Sequence, residues 1–423
     1  MLKKFYLETY GCKLNQSDSD LIKGILSNDF KEVSSPKEAD FIIINSCGVL
    51  EKTERKIIKR IKSFRNKKII LAGCLPLISP EASIKIADGV LGPKNIPSIK
   101  EIANKVLLGE KVWQVSNKVI DKGDYCYFKK RKKGISAIVS IAEGCLGNCS
   151  FCITKKARGK LKSFSEEKIL EEIQHLATSG FKEIQLTSQD AVLYGLDKGK
   201  LLLPDLLNKI SKVKGDFKVR VGMMNPGYVN KILDNLVLSF KSEKIYKFIH
   251  LPLQSGDDWV LKRMNRGYCV DDFLRIASCF RKNFKDVLLA TDIIVGYPEE
   301  TEESFRKTLD LIEEVKPSIV HIFRFSKRKG TKAASLKDYP DRIKKKRSRE
   351  LNNLCKKVNL EKNKEFLGKI FKVLVIEKRK NNTLIGRASS FRAVVLKRGE
   401  IGKYYKVKIV DFKENYLIGT ITD

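Results

Sequence analysis

The segment GCLGNCSFC places Cys145, Cys149 and Cys152 in a C-x3-C-x2-C spacing, just after an apolar run that ends at Ile141. Three thiolates on so short a loop can hold three irons of a cubane [4Fe–4S] cluster, leaving the fourth iron open to another ligand. Gly144 and Gly147 let the loop fold tightly around such a group. A structural zinc site would need a fourth ligand, and no histidine or further cysteine lies nearby in the sequence. A second set is dispersed: Cys12 in YGCKLN, Cys47 in NSCGV and Cys74 in AGCLP. Taken singly, each reads as a buried thiol. Each, however, follows a run that reads as a strand, and the carboxyl ends of parallel strands line one crevice. Taken together they read as a second three-cysteine cluster site. Cys126, Cys269, Cys279 and Cys355 share no such pattern and read as ordinary thiols.

These thiols need a scaffold. KKFYLETYG, FIIIN (Phe41–Asn45) and KIILAG (Lys68–Gly73) read as strands, with helical stretches beginning at Asp18–Leu26 and spanning Glu51–Phe64. That βαβαβ order predicts an open parallel α/β domain over residues 1–112. Residues 113–134, which carry KKRKKG, read as a linker. Six further strands are expected in AIVSIA, EIQLTS, FKVRVGM, KFIHLPL, VLLATDIIVG and IVHIFRF, with helices at Glu166–Thr178 and Glu302–Val315 between them. They predict a larger parallel α/β body over residues 135–362, open or curled towards a barrel. Asp341–Phe366 reads as a basic helix. Past Gly368, five short β segments separated by turn residues predict a small all-β barrel of the OB type over residues 363–423.

Composition limits the partners. The chain has 423 residues, with 84 Lys and Arg against 50 Asp and Glu, a net charge of +34. Such a surplus either serves a polyanion or reflects a Lys-rich background. From Phe366 to Asp423 there are 13 Lys and Arg against 5 Asp and Glu, a net +8. No run approaches the ~20 apolar residues of a membrane span, and the N-terminus lacks signal-peptide features. A soluble cytoplasmic protein with no membrane partner is expected, and ten cysteines in that setting favour metal or catalytic use over disulfides.

With Phe151 before its third cysteine, the loop resembles the radical S-adenosylmethionine superfamily. The whole chain resembles the methylthiotransferases, radical enzymes that attach a methylthio group to C2 of a tRNA adenosine. TYGCKLNQSD, INSCGVLEKTER and AGCLP carry the resemblance first. EGCLGNCSFCITKKARG, LTSQD, HLPLQSG and TDIIVGYPEET continue it, and the terminal barrel looks like the RNA-binding TRAM domain. CITKKARG, VGMMNP and LTSQD resemble the archaeal and eukaryotic branch, which acts on N6-threonylcarbamoyladenosine at position 37. Ser46, Gly48 and Ala191 depart slightly from the family pattern, and the eukaryotic C-terminal hydrophobic anchor has no counterpart in the closing ITD.

The resemblance implies roles. Cys145, Cys149 and Cys152 would hold the radical cluster, whose open iron binds S-adenosylmethionine and whose electron makes a 5′-deoxyadenosyl radical. Cys12, Cys47 and Cys74 would hold an auxiliary [4Fe–4S] cluster carrying the sulfur to be transferred. Two S-adenosylmethionine molecules would be consumed, with electrons from a donor such as ferredoxin or flavodoxin. The RNA partner would be the tRNA anticodon loop.

Asp190, at the end of LTSQD, falls where the superfamily contacts the methionine amino group, and equally reads as a helix N-cap. Gln254, Ser255 and Asp292 fall at later strand ends facing the same crevice, whereas His250 reads as a core histidine. Arg158 would serve a carboxylate or phosphate, or form a surface salt bridge. Phe371, Arg387, Phe391, Arg392 and Tyr405 fit an RNA stacking platform, or else the barrel core. Two further readings stay open: methylthiolation of another target, such as isopentenyladenosine or a ribosomal protein, and a non-catalytic Fe–S RNA-binding protein.

Overall fold

The computed structural model describes residues 2–422 apart from 65, 116–121, 123, 126–128, 132, 133 and 380. The first body is a parallel sheet of β1 (Lys3–Thr9), β2 (Phe30–Glu32), β3 (Phe41–Ser46), β4 (Lys68–Gly73), β5 (Gly89–Leu91) and β6 (Val112–Gln114). Its strand order is β2-β1-β3-β4-β5-β6. Helices cover both faces, so β3 is buried along its whole length. Phe41 and Ile43 pack on one side with Leu21 and Ile22, and Ile42 and Ile44 pack on the other with Ile57 and Ile61. Chain direction across the sheet reverses between β1 and β3, the switch point where such sheets bind ligands beyond their carboxyl ends. Cys12 and Cys47 follow these two strands, and Cys74 follows β4.

The three extra strands β2, β5 and β6 are three residues each, too short for a period-two signal. β6 pairs with β5 at the point where the sequence places the start of the linker. Cys126 and two lysines of KKRKKG, Lys132 and Lys133, lie outside the described residues. The described part of the linker is tied down rather than solvated. Lys129 and Arg131 pair with Glu172, and Lys122 reaches Asp18 and Glu143.

In the second body β7 (Ser136–Ser140) leads to the short antiparallel pair β8 (Ala142–Glu143) and β9 (Lys162–Ser163). Then come β10 (Glu183–Thr187), β11 (Lys218–Arg220), β12 (Phe248–His250), β13 (Leu288–Val295) and β14 (Ile319–Arg324). Two parallel sheets, β11-β10-β7 and β12-β13-β14, join through a bridge between Val219 and Ile245 and a 2.8 Å bond from the Met224 N–H to the His250 carbonyl. The six strands therefore curl as a partial barrel. Val139, Ile184, Val219, Ile249 and Ile293 point outwards into the main core. The period-two alternation turns Ser140, Gln185, Arg220, Phe248, His250 and Asp292 inwards to the lumen.

The third body is a closed barrel of β15 (Ile370–Lys378), β16 (Leu384–Arg387), β17 (Ala393–Leu396), β18 (Tyr404–Lys413) and β19 (Tyr416–Ile421) around Val373, Val375, Val394, Val407 and Leu417. The bodies touch one another. Ser17, on the Lys13–Leu26 helix, meets Ser140 of β7 at 2.9 Å between hydroxyls. The Phe391 ring packs on Tyr246 and Phe248 at 5.1 and 5.2 Å. The Asp341–Lys364 helix buries Arg347, Leu351, Cys355 and Val358. Among the described residues no helix is long and apolar enough to cross a membrane.

Candidate active site

The C-x3-C-x2-C loop leaves the barrel after β8. Gly144 adopts φ +83°, and a Cβ there would fall 2.1 Å from the Lys160 carbonyl oxygen, so only glycine fits. Its N–H donates to Gln189 Oε1 at 2.5 Å, and the Cys145 N–H donates to the Gly159 carbonyl at 3.2 Å. Two donors are aimed at sulfur: the Gly147 N–H at Cys145 Sγ, 3.2 Å, and Arg266 Nη1 at Cys149 Sγ, 2.9 Å. A Cβ on Gly147 would lie 3.2 and 3.9 Å from these two sulfurs, crowding the space beside them, and all three thiols are free. Burial pushes the Cys145 thiol up to about 12, so its thiolate needs a cation such as a cluster iron. The donor set and its cradle fit an iron–sulfur cube. Burial likewise pushes the Asp190 carboxyl up to about 7, and Asp190 Oδ1 accepts from the Asn225 N–H at 3.1 Å.

The dispersed cysteines converge as their strand ends require. Gly11 turns at φ +109°, and a Cβ there would fall 3.2 Å from Cys47 Sγ. Asn15 Oδ1 faces both Cys12 Sγ, at 3.7 Å, and Cys74 Sγ, at 3.9 Å. Burial pushes the Cys74 thiol up to about 11. Arg158 reaches the dispersed set from just past the short cysteine loop. Its side chain is 1% exposed, with Nε donating to Cys74 Sγ at 3.3 Å and Nη2 to Asn15 Oδ1 at 2.6 Å. Nη1 donates to Asp18 and Glu143, both at 2.7 Å. Its carboxylate partners are thus residues of its own chain, deep in the interior rather than at a surface salt bridge. Ile153 and Ala157, just past Cys152, pack against Cys74 and Ile78. Three free thiols on glycine-eased turns around one carboxamide again suit a cluster.

Family comparisons match this layout. Residues 4–92 match the uncharacterized protein family UPF0004, 139–312 the radical SAM superfamily and 364–422 the TRAM domain. The "probable threonylcarbamoyladenosine tRNA methylthiotransferase" of Archaeoglobus fulgidus is 50% identical, with 98% of each chain covered. The chain belongs to the methylthiotransferase family. The like-named Pyrococcus abyssi protein is 40% identical to this methylthiotransferase over 99% of both chains. A tRNA-2-methylthio-N6-dimethylallyladenosine synthase of Caldicellulosiruptor saccharolyticus is 34% identical over 99% of this chain and 92% of its own. A radical S-adenosylmethionine methyltransferase of Kitasatospora setae, solved with cobalamin and a [4Fe–4S] cluster, shares the fold with a TM-score of 0.57. That likeness covers 79% of this chain and 74% of the other at 13% identity.

Other expected residues of the methylthiotransferase divide by their surroundings. Asp292 and His250 share the lumen, Nε2 to Oδ1 at 2.8 Å, with the His321 ring 5.5 Å from that of His250. His250 is therefore a lumen residue, not a core histidine. Gln254 is buried at φ +77° and bridges to Ile293. Ser255 is fully buried, its hydroxyl accepting from the Asp257 N–H at 3.3 Å.

The platform expected on the third body is not a surface. Phe371 packs on Phe366, and Tyr405 lines the barrel core. Arg392 is buried against Asn363 at 3.0 Å. Phe391 and Arg387 face the second body's ring cluster. Alternation in a closed barrel does not reveal which outward side chains another domain will cover. Its exposed cations include Lys372 of β15, opposite Lys406 of β18, with Lys408 two residues on. Asn15, Asp18, Glu143, Gln189 and Arg266 carry no expected role in the sequence, although the first four lie inside or beside the quoted motifs. Cys355 is buried and Cys279 half-buried in the core, while Cys269 starts a helix, as ordinary thiols do.

Proposed function

We propose that this methylthiotransferase places a methylthio group on C2 of N6-threonylcarbamoyladenosine at position 37 of a tRNA anticodon loop, and that each cysteine set holds a [4Fe–4S] cluster. One observation carries the reading: Arg158, six residues past the third cysteine of the short loop, donates to Cys74 of the dispersed set, in a chain whose full-length relatives, 38–50% identical, are named for that substrate. When bound, the clusters supply an electron for cleaving S-adenosylmethionine and a sulfur for transfer. The chain's own residues set the stage. Gly147 and Arg266 compensate the thiolates of Cys145 and Cys149, and Arg158 does so for Cys74. Asp190 is a buried carboxylate with no cation within ion-pair distance among the described residues, so it suits the ammonium group of the methionine moiety. The polar lumen side chains offer a base edge partners once the adenine enters. Lys372, Lys406 and Lys408 hold phosphates on the outside of the barrel, which positions the RNA without reading its bases. A ferredoxin- or flavodoxin-like donor in the cytoplasm supplies electrons.

The test is mass spectrometry of tRNA nucleosides from cells with and without the gene. Loss of the 2-methylthio derivative of N6-threonylcarbamoyladenosine, with its parent nucleoside retained, is expected. Loss of the dimethylallyl counterpart instead would move the assignment to the other branch.

A further inference from the structure

The barrel lumen holds a cation that the residues above leave unpaired. Arg220 ends β11 opposite Gln185 of β10, and its neighbour Val219 faces the outer core. Its guanidinium lies 4.5 Å from the Phe248 ring centroid and 5.4 Å from that of Phe391, which the third body projects at φ +66°. Among the described residues no carboxylate stands within ion-pair distance of Arg220, and no acceptor takes a hydrogen bond from it. The nearest acid, Glu183, is already satisfied by neutral donors: Gln185 at 2.7 Å, Ser136 at 3.0 Å and Tyr246 at 3.3 Å.

One more cation strengthens the positive field. Arg387 lies 4.3 Å from the Phe391 ring, and among the described residues its buried Nε has no acceptor. Burial and the charge of Arg387 bring Arg220 down to about 10. The two come from different bodies and meet on the Phe391 ring, so the positive region exists only in the assembled chain. A half-buried guanidinium between aromatic faces, with a fork of donors and no acceptor among the described residues, is a half-built site that an anion completes.

We propose that Arg220 is the anchor for an oxyanion of the RNA substrate, either the threonyl carboxylate of the modified base or a backbone phosphate beside it. This rests on the substrate proposed above. The guanidinium fork matches both anions. With C2 turned towards the cysteine sets at the strand ends, the N6 substituent has to be accommodated elsewhere in the lumen, where Arg220 stands.

The test measures binding of the full chain to two labelled anticodon stem-loops, one with N6-threonylcarbamoyladenosine at position 37 and one with plain adenosine. Arg220→Gln should weaken the modified loop about 10- to 100-fold, as expected for a lost charge-assisted contact. Arg220→Lys should recover part of that loss, because it restores charge without the fork. Weakening confined to the modified loop identifies the carboxylate, and equal weakening of both identifies a phosphate. Unchanged affinity of Arg220→Gln for both loops overturns the proposal. So does a loss of S-adenosylmethionine affinity with RNA affinity intact. If the native chain makes no methylthio product from the modified loop, the function itself fails. If it does so while Arg220→Gln binds like the native chain, only the role of Arg220 fails.

Discussion

Arg158 is asked to do two things at once, neutralise Asp18 and Glu143 and donate to the sulfur of Cys74. All of its partners are buried, so its removal strands negative charge where water cannot reach. Arg158→Met should therefore destabilise the fold by about 3–5 kcal/mol, with Lys122 left as the remaining cation of the group. It should also lower the iron retained at the Cys12, Cys47 and Cys74 set. A thermal melt with an iron assay on the reconstituted chain checks both, and native stability with native iron would refute the bridging role. Little of this network was legible in the sequence. Asp18 and Arg158 are 140 residues apart, and Arg266 and Cys149 are 117 apart, so only the fold brings them together. The six cysteines were legible because each spacing or strand-end placement is local.

At the scale of elements, the loop after β13 is tied to the long C-terminal helix by Glu300. Its Oε2 accepts from the Gly296 N–H at 2.7 Å and from Arg347 Nη1 at 2.6 Å. Burial pushes this carboxyl from 4.5 up to about 7. Between those values the unfolded chain has released a proton that the folded chain keeps. The group's contribution to stability is therefore full below about 4.5, falls as pH rises towards about 7, and is level above. Glu300→Gln removes this dependence. Relative to that variant, the native chain should lose up to about 3 kcal/mol across the window, measured by denaturant melts at several pH values. Parallel profiles for the two proteins would refute the assignment. Long elements were the most legible. Glu166–Thr178 and Glu302–Val315 appear with the expected ends, because their apolar faces repeat over several turns. β2, β5 and β6 were not legible, since strands of three residues carry no period.

Across the whole molecule, three bodies converge on one reaction space. The helix after Cys12 lies along β7, the cluster loop packs beneath Cys74, and Phe391 reaches the barrel from the third body. Phe391 and Arg387 of the terminal barrel therefore serve assembly, and on the reading proposed above the exposed lysines of its outer strands are left for RNA. The sequence left both readings open, platform or core, because a domain contact and a ligand platform select the same side chains.

The central claim is that the two cysteine sets have separate duties. The direct test reconstitutes the native chain and a Cys12, Cys47 and Cys74 to Ala variant without oxygen. Each is supplied with S-adenosylmethionine, a reductant and tRNA bearing N6-threonylcarbamoyladenosine. One chromatographic run then measures 5′-deoxyadenosine and the methylthio nucleoside together. The native chain should yield both, and the variant 5′-deoxyadenosine alone. Methylthio product from the variant, or its loss of 5′-deoxyadenosine while Cys145, Cys149 and Cys152 still hold iron, would contradict the account.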